Sequence, residues 1–259
     1  MRLRRLAAAL FLMATPLLAG CFQSATLVKL NPDGSGTLEM TTTMTTKTLA
    51  HMGALAASAG EDDQANPDTL FSVDAAKTAV DEMGTGVTFV SARRIDTRDR
   101  KGIKAVYAFK DIRTLSLGAL NAPPGAEIGV VPDTLMDLSF TRLPNGHSLL
   151  TVKDGTDWPN PPQAGVDDQQ VNDEMDTLFA GLKVDVAIQV GHLIKTNVPY
   201  VNGGTVTLLS VDFDQLLAHP GVLEKMQRAR SMAGAKAALP RLNGIKINLD
   251  PELTIEFVK

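Results

Sequence analysis

The chain has few of the residues from which most catalytic and recognition sites are built. Cys21 is the one cysteine among 259 residues. No internal disulfide can form, and a zinc thiolate site or dithiol redox centre would lack its second sulfur. Aromatic side chains make up 5% of the chain, and Trp158 is the single tryptophan. Readers of carbohydrate or single-stranded nucleic acid present several stacking rings, so both classes lose weight. The histidines His51, His147, His192 and His219 lie far apart, and none has HExxH or paired-ligand spacing. A GxSxG elbow, a Walker loop and a dinucleotide fingerprint are all missing. The acidic pairs Asp62-Asp63 and Asp167-Asp168 suit a loop and a helix start better than general acids. No catalytic set, metal site or cofactor is therefore expected.

What is present begins at the amino terminus. Arg2, Arg4 and Arg5 precede an apolar run from Leu6 to Leu18, too short for the roughly 20 residues of a membrane-spanning helix. That is an export signal. It ends in Leu18-Ala19-Gly20-Cys21, which resembles the lipobox of bacterial lipoproteins. The resemblance implies cleavage between Gly20 and Cys21, a diacylglyceryl group on the Cys21 thiol, and a mature protein held to a membrane by its lipid. At about 0.8 kcal/mol per buried methylene, more than one acyl chain makes such an anchor stable. Phe22 follows the cysteine where lipoproteins kept at the inner membrane carry Asp. An organism with two membranes would then place the protein at the outer one.

From Cys21 onward, composition fits a single folded domain ending at Lys259. Apolar residues make up 44% of the full chain and charged residues 21%. Without the three signal arginines, the 25 basic residues fall to 22 against 29 acidic ones, a net charge of −7. Such a surface repels nucleic acid and anionic head groups unless the fold gathers a basic patch. The runs "SARRIDTRDRK" and "EKMQRARSMAGAK" are the basic concentrations; each is expected to be a solvated face.

"LNPDGSGTLEMT" offers Asn31, Asp33, Ser35, Gly36 and Glu39 at the first, third, fifth, sixth and ninth positions of a calcium loop. The twelfth position, which should close the site with a bidentate carboxylate, is Thr42. Alternation of Thr26, Val28 and Leu30 before the turn, and of Leu38, Met40, Thr42 and Met44 after it, predicts two strands instead. In this hairpin Asp-Gly and Gly36 are expected to supply left-handed backbone. The first strand begins near Ser24, leaving some three residues, roughly 10 Å, between lipid and fold.

Residues 58–68 read as an acidic exposed loop. Leu70, Val73, Ala76, Val80 and Met83 predict a helix ended by Gly84 and Gly86. Strands follow from Val87 and Ile103, and Asn145-Gly146 joins a further hairpin. A proline-rich crossing near 154–166 precedes a helix through Val171, Met175, Leu178, Phe179 and Leu182. Val184, Val186, Ile188 and Val190 share one strand face, with His192 and Ile194 as its continuation and "TVTLLSVDF" as antiparallel partner. His219-Pro220 is read as a helix start, and "LTIEFV" as a last strand. The fold class expected is α+β, a mainly antiparallel sheet with helices packed on one face.

The late pair "QVGHLIKTN" and "GGTVTLLSVDF", with the lipobox and the "DGSGT" hairpin, resembles the LppM-type lipoprotein domain family. The matching residues are Gly191, Ile194, Thr196, Asn197, Gly204 and Val206. The resemblance implies a cell-envelope binding module without established catalytic residues. The expected partners are the membrane, through Cys21, and a lipid-like ligand or an envelope protein, with no nucleic acid. The competing expectation is a hydrolase-like lipoprotein enzyme whose site gathers distant residues such as His192. Trp158 is a candidate partner contact.

Overall fold

The computed structural model describes residues 22–50, 53, 67–116, 136–154, 181–219, 244–248 and 250–259. The lipobox, Trp158, most of the acidic loop, the proline-rich crossing and the helix expected after it lie outside the described residues, as does the chain after His219 up to 243. The architecture is α+β, with mostly antiparallel strands and a few short helices.

β1 (Phe22–Leu30) and β2 (Gly36–Thr45) form the expected hairpin. Their period-two pattern has a direct cause. Phe22, Ser24, Thr26, Val28 and Leu30 turn inward and are buried, as do Leu38, Met40, Thr42 and Met44. Thr42 is thus a core residue in mid-strand, far from any calcium loop. Gly34 takes the left-handed backbone of the turn, with φ +89°. Gly36 does not: a Cβ there would lie 2.1 Å from the Lys29 carbonyl oxygen and 2.6 Å from the Phe109 ring, so close approach requires this glycine.

The hairpin sits inside an eight-stranded sheet. β3 (Thr88–Asp96) and β4 (Arg100–Phe109) extend it beyond β2. β7 (Lys183–Val190) lies parallel to β1 on the other side, followed by β10 (Thr205–Asp212) and β11 (Ile245–Ile247), with the short β9 (Val201–Asn202) on β10. β1 is therefore paired along both edges.

A second, four-stranded sheet packs on its inner face, in the order β5 (Met136–Arg142), β6 (Ser148–Asp154), β12 (Glu252–Val258), β8 (His192–Thr196). Leu150, Val152, Leu253, Ile255 and Phe257 from this sheet join Val28, Leu38, Tyr107, Ile188 and Val206 in one core. The expectation of one sheet is corrected here. β7 ends at Val190, and at Gly191, where a Cβ would lie 2.8 Å from Lys259 backbone, the chain crosses into the other sheet. His192 and Ile194 are exposed and do not continue the Val184–Val190 face.

Helices are shorter than the periodicity suggests. α1 (Pro67–Leu70) stops at Phe71, and α2 (Val73–Thr78) restarts because the Ser72 hydroxyl caps the Ala75 N–H at 2.9 Å. A 3₁₀ turn, Ala79–Glu82, completes the segment. Pro67 and Asp68, taken as loop from the sequence, belong to α1. The pair seals the core through Phe71, Ala76 and Met83. Tyr107 donates to the Ala76 carbonyl at 2.9 Å, and burial pushes its hydroxyl up to about 12. α3 (Phe213–Leu217) follows β10 directly, capped by Asp212. The His219 N–H donates to the Leu216 carbonyl at 2.9 Å and closes this helix; the helix expected from Pro220 onward lies outside the described residues.

Candidate functional site

The two ends of β1 define two poles of the molecule. The Phe22 pole carries the start of the fold, since β1 begins at the residue after Cys21. Among the described residues β1 thus starts at Phe22, two residues before the Ser24 start expected from the sequence. At roughly 3.3 Å rise per residue, the 9 residues of β1 hold the opposite pole about 27 Å away.

That opposite pole gathers two turns. In the 31–35 turn, Asp33 Oδ1 accepts from the Ser35 N–H (3.0 Å) and hydroxyl (2.6 Å), and Asn31 Nδ2 donates to the same hydroxyl (3.1 Å). The Ser35 hydroxyl and amide hold the Asp33 carboxyl below its usual range. The carboxylate therefore closes a local turn instead of an ion site. Among the described residues, no group of three His, Cys, Asp or Glu could hold a metal ion. Pro32 then docks on the second sheet, its carbonyl accepting from Ser148 Oγ (2.7 Å) and Arg142 Nε (3.3 Å). Gly34 accepts from the Ile112 N–H at 2.9 Å.

The second turn, Leu143 to His147, brings a histidine to a carboxylate. His147 Nδ1 lies 2.6 Å from Glu256 Oε1, and 3.1 Å from Asn145 Nδ2. One ring nitrogen cannot donate and accept at once, so the shorter contact assigns the proton to Nδ1. Bonds from His147 and, more weakly, Asn145 hold Glu256 below the usual carboxylate range. In the neutral ring with that proton on Nδ1, Nε2 would be the nitrogen available to a general base or a ligand role. Lys195 pairs with Glu256 across β8 and β12.

The sequence offered His192 as a member of such a set, whereas the histidine that meets a carboxylate is His147. His192 lies exposed on β8 opposite Val258, at the rim of the same sheet. The His147–Glu256 contact spans 109 residues, so no local spacing could reveal it. The local signal was the Asn-Gly turn, which fixes His147 at a strand start. Gly20 and Cys21 lie outside the described residues.

The late motif residues are explained by strand joining. Thr196 Oγ1 donates to the Thr254 carbonyl (2.6 Å), Asn197 Nδ2 to the Glu252 carbonyl (2.8 Å), and the Thr254 N–H donates to Asn197 Oδ1 (2.8 Å). Asn197 thereby prolongs the β8–β12 ladder with side-chain atoms. A Cβ on Gly204 would lie 2.4 Å from the Val190 carbonyl oxygen, and Val206 is fully buried. Ile194 stays 43% exposed and has no such role.

No protein-family model matches the chain, and no curated protein matches it. Among solved structures it is similar to the folded domain of the LppM protein of Mycobacterium tuberculosis, determined by NMR. The two share 10% sequence identity with a TM-score of 0.38, over 93% of this chain and 92% of that one.

Proposed function

We propose that the protein is an exported bacterial envelope lipoprotein, anchored through lipid on Cys21, that works as a non-enzymatic binding or structural module against the bilayer. One observation carries this reading: the fold begins at Phe22, immediately after the lipidation cysteine. Phe22 is paired with Met44 and, from Gln23 on, β1 is paired on both edges, so the strand cannot peel away to serve as a flexible stalk without breaking ladder hydrogen bonds. The anchored end and the rigid sheet are one object. Such a module suits a ligand or partner at the membrane surface: a lipid-like molecule or another envelope protein. Among the described residues, no helix is long and apolar enough to cross a membrane. With Phe22 following the cysteine, the outer membrane is the proposed site in an organism that has two.

Two experiments test this. Membrane fractions from cells expressing wild type should hold the protein, and Cys21→Ser should release it; equal distribution of the two would overturn the anchor. Native mass spectrometry of Cys21→Ser, taken from its own envelope and again after refolding, tests the binding role. An added mass lost on refolding supports a carried ligand; a bare mass in both directs the binding role to protein partners.

The second reading, an enzyme, draws on His147–Glu256 and not on His192, because only the former pair joins an imidazole to an orienting carboxylate. Ester hydrolysis that rises with pH and disappears in His147→Gln would favour it. Hydrolysis unchanged by that substitution would count against it.

A further inference from the structure

The strand register places the basic run beside the anchor. Phe22 on β1 pairs with Met44 on β2, Met44 with Lys101 on β4, and Lys101 with Asp96 on β3. With strands roughly 4.8 Å apart, Lys101 stands about 10 Å from Phe22 and the β3–β4 turn about 14 Å. That turn is ordered: the Thr97 N–H donates to the Arg100 carbonyl at 2.9 Å, and the Arg100 N–H to Thr97 Oγ1 at 3.0 Å. The Thr46 N–H donates to the Asp99 carbonyl at 3.0 Å, which brings Lys47, on the helical turn over 46–50, to the same pole.

From Arg93 to Lys104 there are six basic residues, Arg93, Arg94, Arg98, Arg100, Lys101 and Lys104, and two acidic ones, Asp96 and Asp99. The full chain has a net charge of −4, so this excess stands against the average. Arg98 and Lys47 are exposed and make no hydrogen bond or ion pair with another described residue. Across β1 the same pole is acidic: Asp212 pairs with Lys183 at 2.6 Å, and Asp214 and Asp185 lie close enough to act on that lysine.

We propose that the β3–β4 turn with Lys47 is a docking surface for the anionic phospholipid head groups of the anchoring membrane. It rests on the lipid anchor at Cys21. A domain tethered at the start of β1 leans onto its basic β4–β3 side and away from its acidic β7–β10 side, with strands standing up from the bilayer. Basic residues near an anionic surface are drawn to it, and the attraction fades beyond a Debye length of about 8 Å. Free in solution, such a patch binds poorly. Held at the surface by lipid, it needs only to set orientation.

The test uses the full lipidated protein, purified from membranes and reconstituted into phosphatidylcholine vesicles with or without about a third phosphatidylglycerol. Amide exchange is read for residues 46–50 and 97–101, with the 143–147 turn at the far pole as internal reference. Anionic vesicles should slow exchange at the basic pole at least about threefold, and Lys47→Glu with Arg98→Glu, or high salt, should abolish the difference. Equal exchange in both vesicles, with lipid confirmed on Cys21 by mass, overturns the docking surface alone. An unmodified Cys21 in protein that fails to float with either vesicle overturns the anchor, and the docking surface with it.

Discussion

At the Leu30 end of β1, the 31–35 turn is held by its own Asp33 and Ser35, by Ile112, and by Ser148 and Arg142 of the second sheet. At the Phe22 end, the neighbouring turn over 97–100 is tied to itself, to Thr46 and, through the Arg100 guanidinium, to Thr43, while Arg98 and Lys47 project without partners among the described residues. The far pole fastens two sheets together. The near pole keeps charge in water and available for contact. The difference separates residues that stabilise from residues free to engage something outside the molecule.

Substitutions at the two poles should therefore differ in size and in kind. The largest loss is expected for Phe257→Ala, since Phe257 is fully buried and its ring meets Phe140 at 6.5 Å between the centroids; urea unfolding should report about 3 to 5 kcal/mol. Gly36→Ala forces a methyl group against the Lys29 carbonyl oxygen and should cost about 1 to 3 kcal/mol in the same measurement. Ser148→Ala removes the hydroxyl that donates to Pro32, for about 1 kcal/mol, and should raise amide exchange in the 31–35 turn.

Acid should act on the far pole and the middle of the sheet. Glu256 is held low by His147, and Glu39 by Lys104 and Lys29. Carboxyls with lowered folded-state values stabilise above their ordinary value of 4.5 and lose that contribution as pH falls through the lowered values. The urea midpoint should therefore drop below pH 4.5, and Glu256→Gln should flatten that drop. A midpoint indifferent to Glu256→Gln would remove the His147 contact from the account. The smallest effect on stability belongs to Lys47→Glu with Arg98→Glu, expected within about 0.5 kcal/mol of wild type. A large loss there would erase the distinction between the poles.

Local chemistry explains which parts of the fold were readable. Hairpins at 31–35 and 143–147 and the strand Val184 to Val190 show in the sequence because a glycine turn and a buried face each leave a pattern within ten residues. The division into two sheets leaves none: Gly191 looks like one more strand residue until Lys259 packs against it. The parallel pairing of β1 with β7 depends on contacts across more than 150 residues of chain. Register shifts between Phe89 and Ser91 on β3, and between Thr207 and Leu209 on β10, displace the period within those two strands. His192 stood out because its neighbours were apolar, whereas His147 meets its carboxylate only after β6 and β12 pair. The basic run from Arg93 was visible as composition; that it lies beside Phe22 follows only from the register of four strands.

The chemical state of Cys21 decides whether the domain is held at the membrane, and one peptide reports it. Trypsin should release the amino terminus of the mature protein, cut after Lys29. An anchored protein should yield a Cys21–Lys29 peptide that carries a diacylglyceryl group and partitions into organic solvent. An unmodified Cys21, or a peptide that continues upstream into Gly20 and the apolar run, would contradict the anchor.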